Sequence, residues 1–216
     1  MKRSIFRLAA VAAVAATAAC HKDSTGPGGG SNALGSYYGV FGATNGSVSV
    51  GGTVIIVITS STATGTLTPT GSAGVSLSGT YNSGSGAVSV SGGGHTLTGT
   101  ISNGSLDGNY NGPGGAGKFG TQHGATSSDV ALFCGSYDGA SSGVWNLSKS
   151  GNSLRGAYAD DGGGSAALAG SLSGSAISIT FSGGTAAGTL ASATTMNGTW
   201  TAGVNSGTWS GVSPCP

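Results

Sequence analysis

The chain has 216 residues, 45 of them Gly, and its 7 Lys and Arg against 6 Asp leave a formal net charge of +1. Glu is absent, Gln122 is the single Gln, and Phe, Leu, Ile and Val together make less than a fifth of the residues. Disorder needs that apolar scarcity together with high net charge, which is missing; long helices lack the charged residues that solvate an outer face, and so few cations make no nucleic-acid surface.

In chain order, Lys2, Arg3 and Arg7 precede an apolar run, Leu8 to Ala19, too short to span a bilayer as a helix but suited to the core of an export signal. The run ends Thr17-Ala18-Ala19-Cys20. This segment resembles a bacterial lipoprotein precursor, whose lipobox is roughly Leu-Ala-Gly/Ala-Cys; Thr17 departs from it at the first position, and ordinary signal cleavage near Ala18 or Ala19 is the alternative. The resemblance implies a signal peptide over 1–19, a Cys20 that carries the lipid and becomes the mature N-terminus, and an exported protein held in the cell envelope, at the outer membrane. Cysteine arithmetic agrees. Of Cys20, Cys134 and Cys215, acylation of Cys20 leaves one pair, which an oxidising compartment joins as a disulfide. Such a loop gains roughly 4–5 kcal/mol in the chain-entropy model. No CxxC and no adjacent His suggest a metal or redox role for the pair.

Residues 20–32, His21 through Asn32, hold few charges and then a Gly-rich run, and read as a flexible tether. After the signal, Lys22, Lys118, Lys149 and Arg155 stand against Asp23, Asp107, Asp129, Asp138, Asp160 and Asp161, a balance of −2. Membrane attachment therefore rests on the lipid and not on a basic patch.

The remainder is built on one pattern: apolar, any, Gly, any, apolar or aromatic. Clear copies are Leu77–Tyr81, Leu97–Ile101, Leu106–Tyr110, Phe133–Tyr137, Leu154–Tyr158, Leu168–Leu172 and Met196–Trp200. Residues two apart share a strand face. Each copy thus turns large, absent, large inward and Ser/Thr outward, and the Gly makes room for a bulky neighbour. The Gly series 35, 65, 79, 99, 108, 117 repeats as 135, 156, 170, 188, 198, 207, with one insertion around Ser47–Thr59. There Val54-Ile-Ile-Val-Ile58 is apolar on both faces and is expected to be buried on both. The expected fold is all-β: two tandem repeated antiparallel meanders, over 33–121 and 132–216, joined by a polar linker, 122–131. Each is a small up-and-down barrel or flattened sandwich; a single large sandwich and a solenoid are weaker alternatives.

In the second domain Ser142-Gly-Val-Trp145-Asn146 and Leu154-Arg-Gly-Ala-Tyr158 resemble the opening strands of avidin-like barrels, Gly-Thr-Trp-Asn and Leu-Thr-Gly-Thr-Tyr. The resemblance covers about 17 residues and implies a barrel. In that family the Asn and Tyr hold the biotin ureido oxygen; the family's further pocket Trp and late Asp have no counterpart here, so biotin does not carry over.

Gly139-Ala-Ser141-Ser-Gly143 matches the nucleophile pattern GxSxG, but that motif needs a helix after its strand, and a Gly/Ser-rich chain produces such matches by composition. Gly112–Gly117 matches GxGxxG with the same deficit. His21, His95 and His123 show no metal spacing, Asp160-Asp161-Gly reads as a solvated turn rather than a calcium loop, and no cofactor is indicated. Trp145, Tyr158, Trp200 and Trp209 could stack on a sugar or small ligand, although their inward phase equally suits core packing. The sequence is thus read as a non-catalytic, lipid-anchored envelope protein with a surface, structural or interaction role, its protein or glycan partner unspecified; the alternative is a module binding a small ligand or carbohydrate.

Overall fold

A computed structural model describes residues 33–216. The signal, Cys20 and the tether lie outside them. The strands, in order, are β1 (Gly35–Thr44), β2 (Ser49–Thr59), β3 (Thr62–Pro69), β4 (Val75–Tyr81), β5 (Ala87–Gly92), β6 (His95–Ser102), β7 (Ser105–Gly112), β8 (Gly115–Gly124), β9 (Ala131–Gly139), β10 (Gly143–Ser150), β11 (Ser153–Asp160), β12 (Ser165–Ser173), β13 (Ala176–Phe181), β14 (Gly184–Ser192), β15 (Thr195–Ala202) and β16 (Asn205–Val212). Within each barrel every strand pairs antiparallel with its chain neighbours. β8 returns to β1 and β16 to β9, closing two meander barrels. The junction is shorter than the expected 122–131: Gln122 to Gly124 belong to β8, Ala131 opens β9, and one 3-10 turn, Ser127–Asp129, lies between. Thr126 caps that turn, its backbone N–H donating to Asp129 Oδ2 at 2.7 Å.

The alternation does what the pattern predicts. Leu77 and Tyr81 are buried inside the first barrel while Ser76, Ser78 and Thr80 face solvent. Each barrel closes around its own core. Tyr37, Phe41, Ile56, Leu67, Leu97 and Phe119 fill the first; Phe133, Leu147, Leu168, Ile179, Met196 and the three Trp fill the second. An apolar interior and a hydroxyl-rich exterior are the reverse of a membrane-spanning barrel, which wears its apolar band outside.

Register locates the repeat and corrects one part of it. All six Gly pairs fall in equivalent strands, and five also match in register, from Gly65 in β3 and Gly156 in β11 to Gly117 in β8 and Gly207 in β16. In β1, however, Gly39 and not Gly35 matches Gly135. Ala43, Phe41 and Gly39 pair with Gly117, Phe119 and Thr121, as Gly139, Tyr137 and Gly135 pair with Gly207, Trp209 and Gly211. The likeness of Gly35-Ser-Tyr37 to Gly135-Ser-Tyr137 is a shift of four residues along the strand, which preserves the face and therefore deceives a period-2 reading. The insertion is then a longer β1–β2 hairpin: Phe41 pairs with Gly52 where Tyr137 pairs with Gly143.

That longer hairpin reaches the other barrel. The outer faces of β1, β2 and β8 pack on those of β10, β11 and β12 through small side chains. Val40, Ala157 and Ala159 are fully buried there, and a Cβ on Gly120 would stand 2.7 Å from the Gly156 nitrogen. Several polar groups in this layer are paired across it, while Arg155 Nε and Asp107 Oδ1 are buried there without a hydrogen bond. Gln122 Nε2 donates to the Ser148 and Ser153 carbonyls at 2.8 and 3.2 Å, Asn146 Nδ2 donates to the Phe41 carbonyl at 2.8 Å, and Ser49 donates from both N and Oγ to Asp161 Oδ1. The second barrel covers only the start of β2, so Ile55 and Val57 remain half-buried rather than enclosed on both faces as expected.

Cys134 and Cys215 form a disulfide with Cα atoms 4.9 Å apart. Cys134 lies in β9 opposite Val212 of β16, so the bond fastens the tail beyond β16 to the outside of the barrel seam. The two seams differ: nine residue pairs, Ser36↔Gly124 to Thr44↔Ala116, close the first barrel, and six, Gly207↔Gly139 to Val212↔Cys134, close the second.

Candidate functional site

The end of the second barrel formed by the finish of β9, β11, β13 and β15 holds a cavity of about 100 Å3, lined by Tyr137, Trp145, Tyr158, Phe181 and Trp200, with Ser141, Asp160, Ala202 and Asn205 at its rim. Strand phase brings these residues together. Trp145 and Tyr158 are register partners, Phe181 ends the inward series Ile177, Ile179, Phe181 of β13, and Asp160 follows Tyr158 on the same face. Tyr137 stands edge-on to Trp145, Tyr158 and Trp200, with centroids 5.8–6.2 Å apart. Trp145 and Tyr158 lie nearly parallel at 6.1 Å, and Phe181 meets both edge-on.

Three of the four predicted stacking residues, Trp145, Tyr158 and Trp200, line the cavity. Trp209 does not: it stacks on Trp145 at 5.4 Å and lies flat over glycine, where a Cβ on Gly188 or Gly198 would come within 2.6 or 2.8 Å of its ring. Tyr137, Phe181 and Asp160 are not among the predicted stacking residues, although each sits at the inward phase of its strand.

The indole nitrogens separate the three Trp. Trp200 Nε1 donates to the Asp138 carbonyl and Trp209 Nε1 to the Thr199 carbonyl, both at 3.2 Å. Trp145 Nε1 is buried with no acceptor, a loss of about 1–3 kcal/mol for a neutral donor. At the rim, the Tyr137 hydroxyl donates to Asp160 Oδ2 at 2.9 Å. Burial, and after it the bond to Asp160, pushes the Tyr137 phenol far above its usual value; burial and then Asp160 also raise Tyr158. Both phenols are therefore neutral donors at physiological pH.

The same end of the first barrel is occupied. By register Phe41, Val54, Leu67 and Tyr110 replace Tyr137, Trp145, Tyr158 and Trp200, and the pair Gly92↔His95 replaces Phe181↔Gly184. His95 is buried there, its Nδ1 2.7 Å from the Tyr110 hydroxyl.

Other predicted features fall elsewhere. Asn146, which the avidin-like resemblance would turn inward, faces outward: Trp145 and Leu147 take the inward phase, and Asn146 bonds the first barrel and the Gly135 amide. Ser141 sits in the short hairpin loop between β9 and β10, and Pro113 and Gly114 form the β7–β8 turn; neither motif leads into a helix. Asp161 does not join Asp160 but is held by Ser49 and Ser142. Among the described residues no group of three or more His, Cys, Asp or Glu could hold a metal, and no helix is long and apolar enough to cross a membrane. No family model, no curated protein and no solved structure matches the chain.

Proposed function

We propose that this chain is a non-catalytic binding protein of the cell envelope, anchored through Cys20, whose second barrel takes a small ligand at its aromatic mouth. The observation that carries the reading is that Trp145, which lines the cavity, has its indole N–H buried without an acceptor; buried donors in folded proteins are rarely left so. The contrast with the first barrel, where His95 and Tyr110 fill the equivalent end, supports it, because one repeat keeps space that the other gives up. Walls of aromatic carbon with a few convergent polar groups are the usual make-up of a ligand pocket. The lipobox-like Thr17-Ala18-Ala19-Cys20 supports the anchor, and the tether separates the barrels from the membrane.

Tryptophan emission tests the pocket, since Trp145 and Trp200 line it. A panel of small phenols, amines and monosaccharides is titrated into the purified protein. At least one compound is expected to shift or quench emission, and Ala202→Trp, which fills the rim, is expected to abolish the response with the far-ultraviolet spectrum unchanged. An unresponsive wild type leaves the structural or interaction role in its place. Mass measurement of the mature N-terminus tests the anchor: a diacylglyceryl-modified Cys20 is expected, and an unmodified terminus near residue 19 or 20 overturns it.

A further inference from the structure

The mouth of the second barrel carries an acidic side chain that no cationic group answers among the described residues. Asp160 ends β11 at the rim, accepting from the Tyr137 hydroxyl through Oδ2 and from the Gly162 amide through Oδ1. The only ion pair among the described residues joins Arg155 to Asp107. Lys118 is bound to Asn109 on the first barrel, and Lys149 lies at the far end of β10 from Trp145's mouth. The carboxylate thus stands beside aromatic rings with two neutral donors, the Tyr137 hydroxyl and the Gly162 amide, as its partners.

Two attractions for a cation meet there. Aromatic faces draw cations through the ring quadrupole, most strongly where water is excluded, and a carboxylate without a counter-ion adds Coulomb attraction in a partly desolvated setting. Trp145, another lining residue, has its Nε1–H buried without an acceptor. The two demands sit at different levels of the strand: Asp160 lies two residues, about 7 Å along β11, beyond Tyr158, Trp145's partner.

We infer that the mouth takes a small ring-bearing ammonium compound: the ring enters the aromatic walls, an oxygen or nitrogen on it accepts from Trp145 Nε1–H, and the ammonium group rests at the rim against Asp160. This rests on the binding reading above and adds the ligand's charge and polarity. The cavity of about 100 Å3 is smaller than the engineered cavity of about 150 Å3 that holds benzene, so it takes at most one ring, with the rest of the molecule in the open mouth.

Three probes of nearly one shape isolate the charge: tyramine, 4-ethylphenol, which lacks the ammonium, and 3-(4-hydroxyphenyl)propionate, which reverses it. Each is titrated against the purified protein by Trp emission at low and high salt. Tyramine is expected to bind about tenfold tighter than 4-ethylphenol, with the carboxylate weakest, and added salt should narrow the gap. Asp160→Asn keeps an acceptor for Tyr137, so it is expected to erase the preference for tyramine while 4-ethylphenol affinity stays within about twofold. Equal binding of tyramine and 4-ethylphenol, or a preference that survives Asp160→Asn, overturns the charge assignment and leaves the pocket standing. If none of the three binds while another compound of the panel does, the ammonium inference falls alone; if nothing in either set moves the emission, the pocket falls with it.

Discussion

Trp209 lies across Gly198 and Gly188, and Phe119 takes the same place in the row Gly99–Gly108–Phe119 of the first barrel. In both repeats two successive strands give up their Cβ so that one large ring can fill the barrel's width. Gly198→Ala forces both the ring and the neighbouring Ala187 carbonyl to move, and overpacking of this kind destabilises by about 1–3 kcal/mol; a lower urea midpoint is expected, with near-ultraviolet dichroism reporting the displaced Trp. Two aspartates respond to pH in opposite senses. Burial pushes the Asp107 carboxyl above its usual 3.8, against the pull of Arg155 and Ser105. Its stability contribution is therefore full below 3.8 and lost as pH rises through the raised value. The Ser49 hydroxyl and amide hold Asp161 below 3.8, so its contribution is present above 3.8 and lost as pH falls through the lowered value. Relative to wild type, Asp107→Asn is thus expected to gain stability from acid toward neutral pH, and Asp161→Asn to lose it across the acid range. Urea midpoints at a series of pH values check both signs.

At the scale of strands, the question is where a closed sheet comes apart. The first barrel's seam has nine register pairs and lies under the second barrel, whereas the second barrel's seam has six and carries the Cys134–Cys215 bond instead. Cys134→Ser is expected to lower stability by about 2–5 kcal/mol, with hydrogen exchange accelerated first at β9 and β16. Protection lost evenly over both barrels would mean that the bond does not guard the seam. How much of this was legible follows from face and period. Inward and outward residues were legible from spacing along one strand, the repeat from the succession of glycines from strand to strand, and the cysteine pair from the count of cysteines. The β1 match failed because a slip by an even number of residues leaves the faces unchanged, and only the pairing of Phe41 with Phe119 and of Tyr137 with Trp209 reveals it. Within the mouth, Trp145, Tyr158 and Trp200 were legible as inward aromatics, yet nothing along the chain distinguishes them from Trp209, which is core. Phe181 and Asp160 were missed because a strand's final inward residue opens on solvent or on core according to the lengths of its neighbours.

Across the whole molecule, the two cores share no residue; what joins the barrels is a layer of glycine, alanine and paired polar groups. Such a layer gains from close approach more than from apolar area, so one added side chain separates it efficiently. Ala157, fully buried on the outer face of β11, is the place to test this. Ala157→Leu leaves the interior of the second barrel untouched, because its neighbours Gly156 and Tyr158 take the inward phase, but wedges the sheets apart and pulls Asp161 from Ser49. The expected outcome is two barrels on a short hinge at residues 125–130: a larger radius of gyration by X-ray scattering, an unchanged far-ultraviolet spectrum, and unfolding that splits from one transition into two. The mouth should loosen as well, since Asp161 adjoins Asp160 and holds Ser142 of the β9–β10 loop, so ligand responses of Trp emission should weaken with the core intact. A single cooperative loss of both barrels at lower urea would show instead that neither stands without the other, and that the small-residue layer belongs to one folding unit.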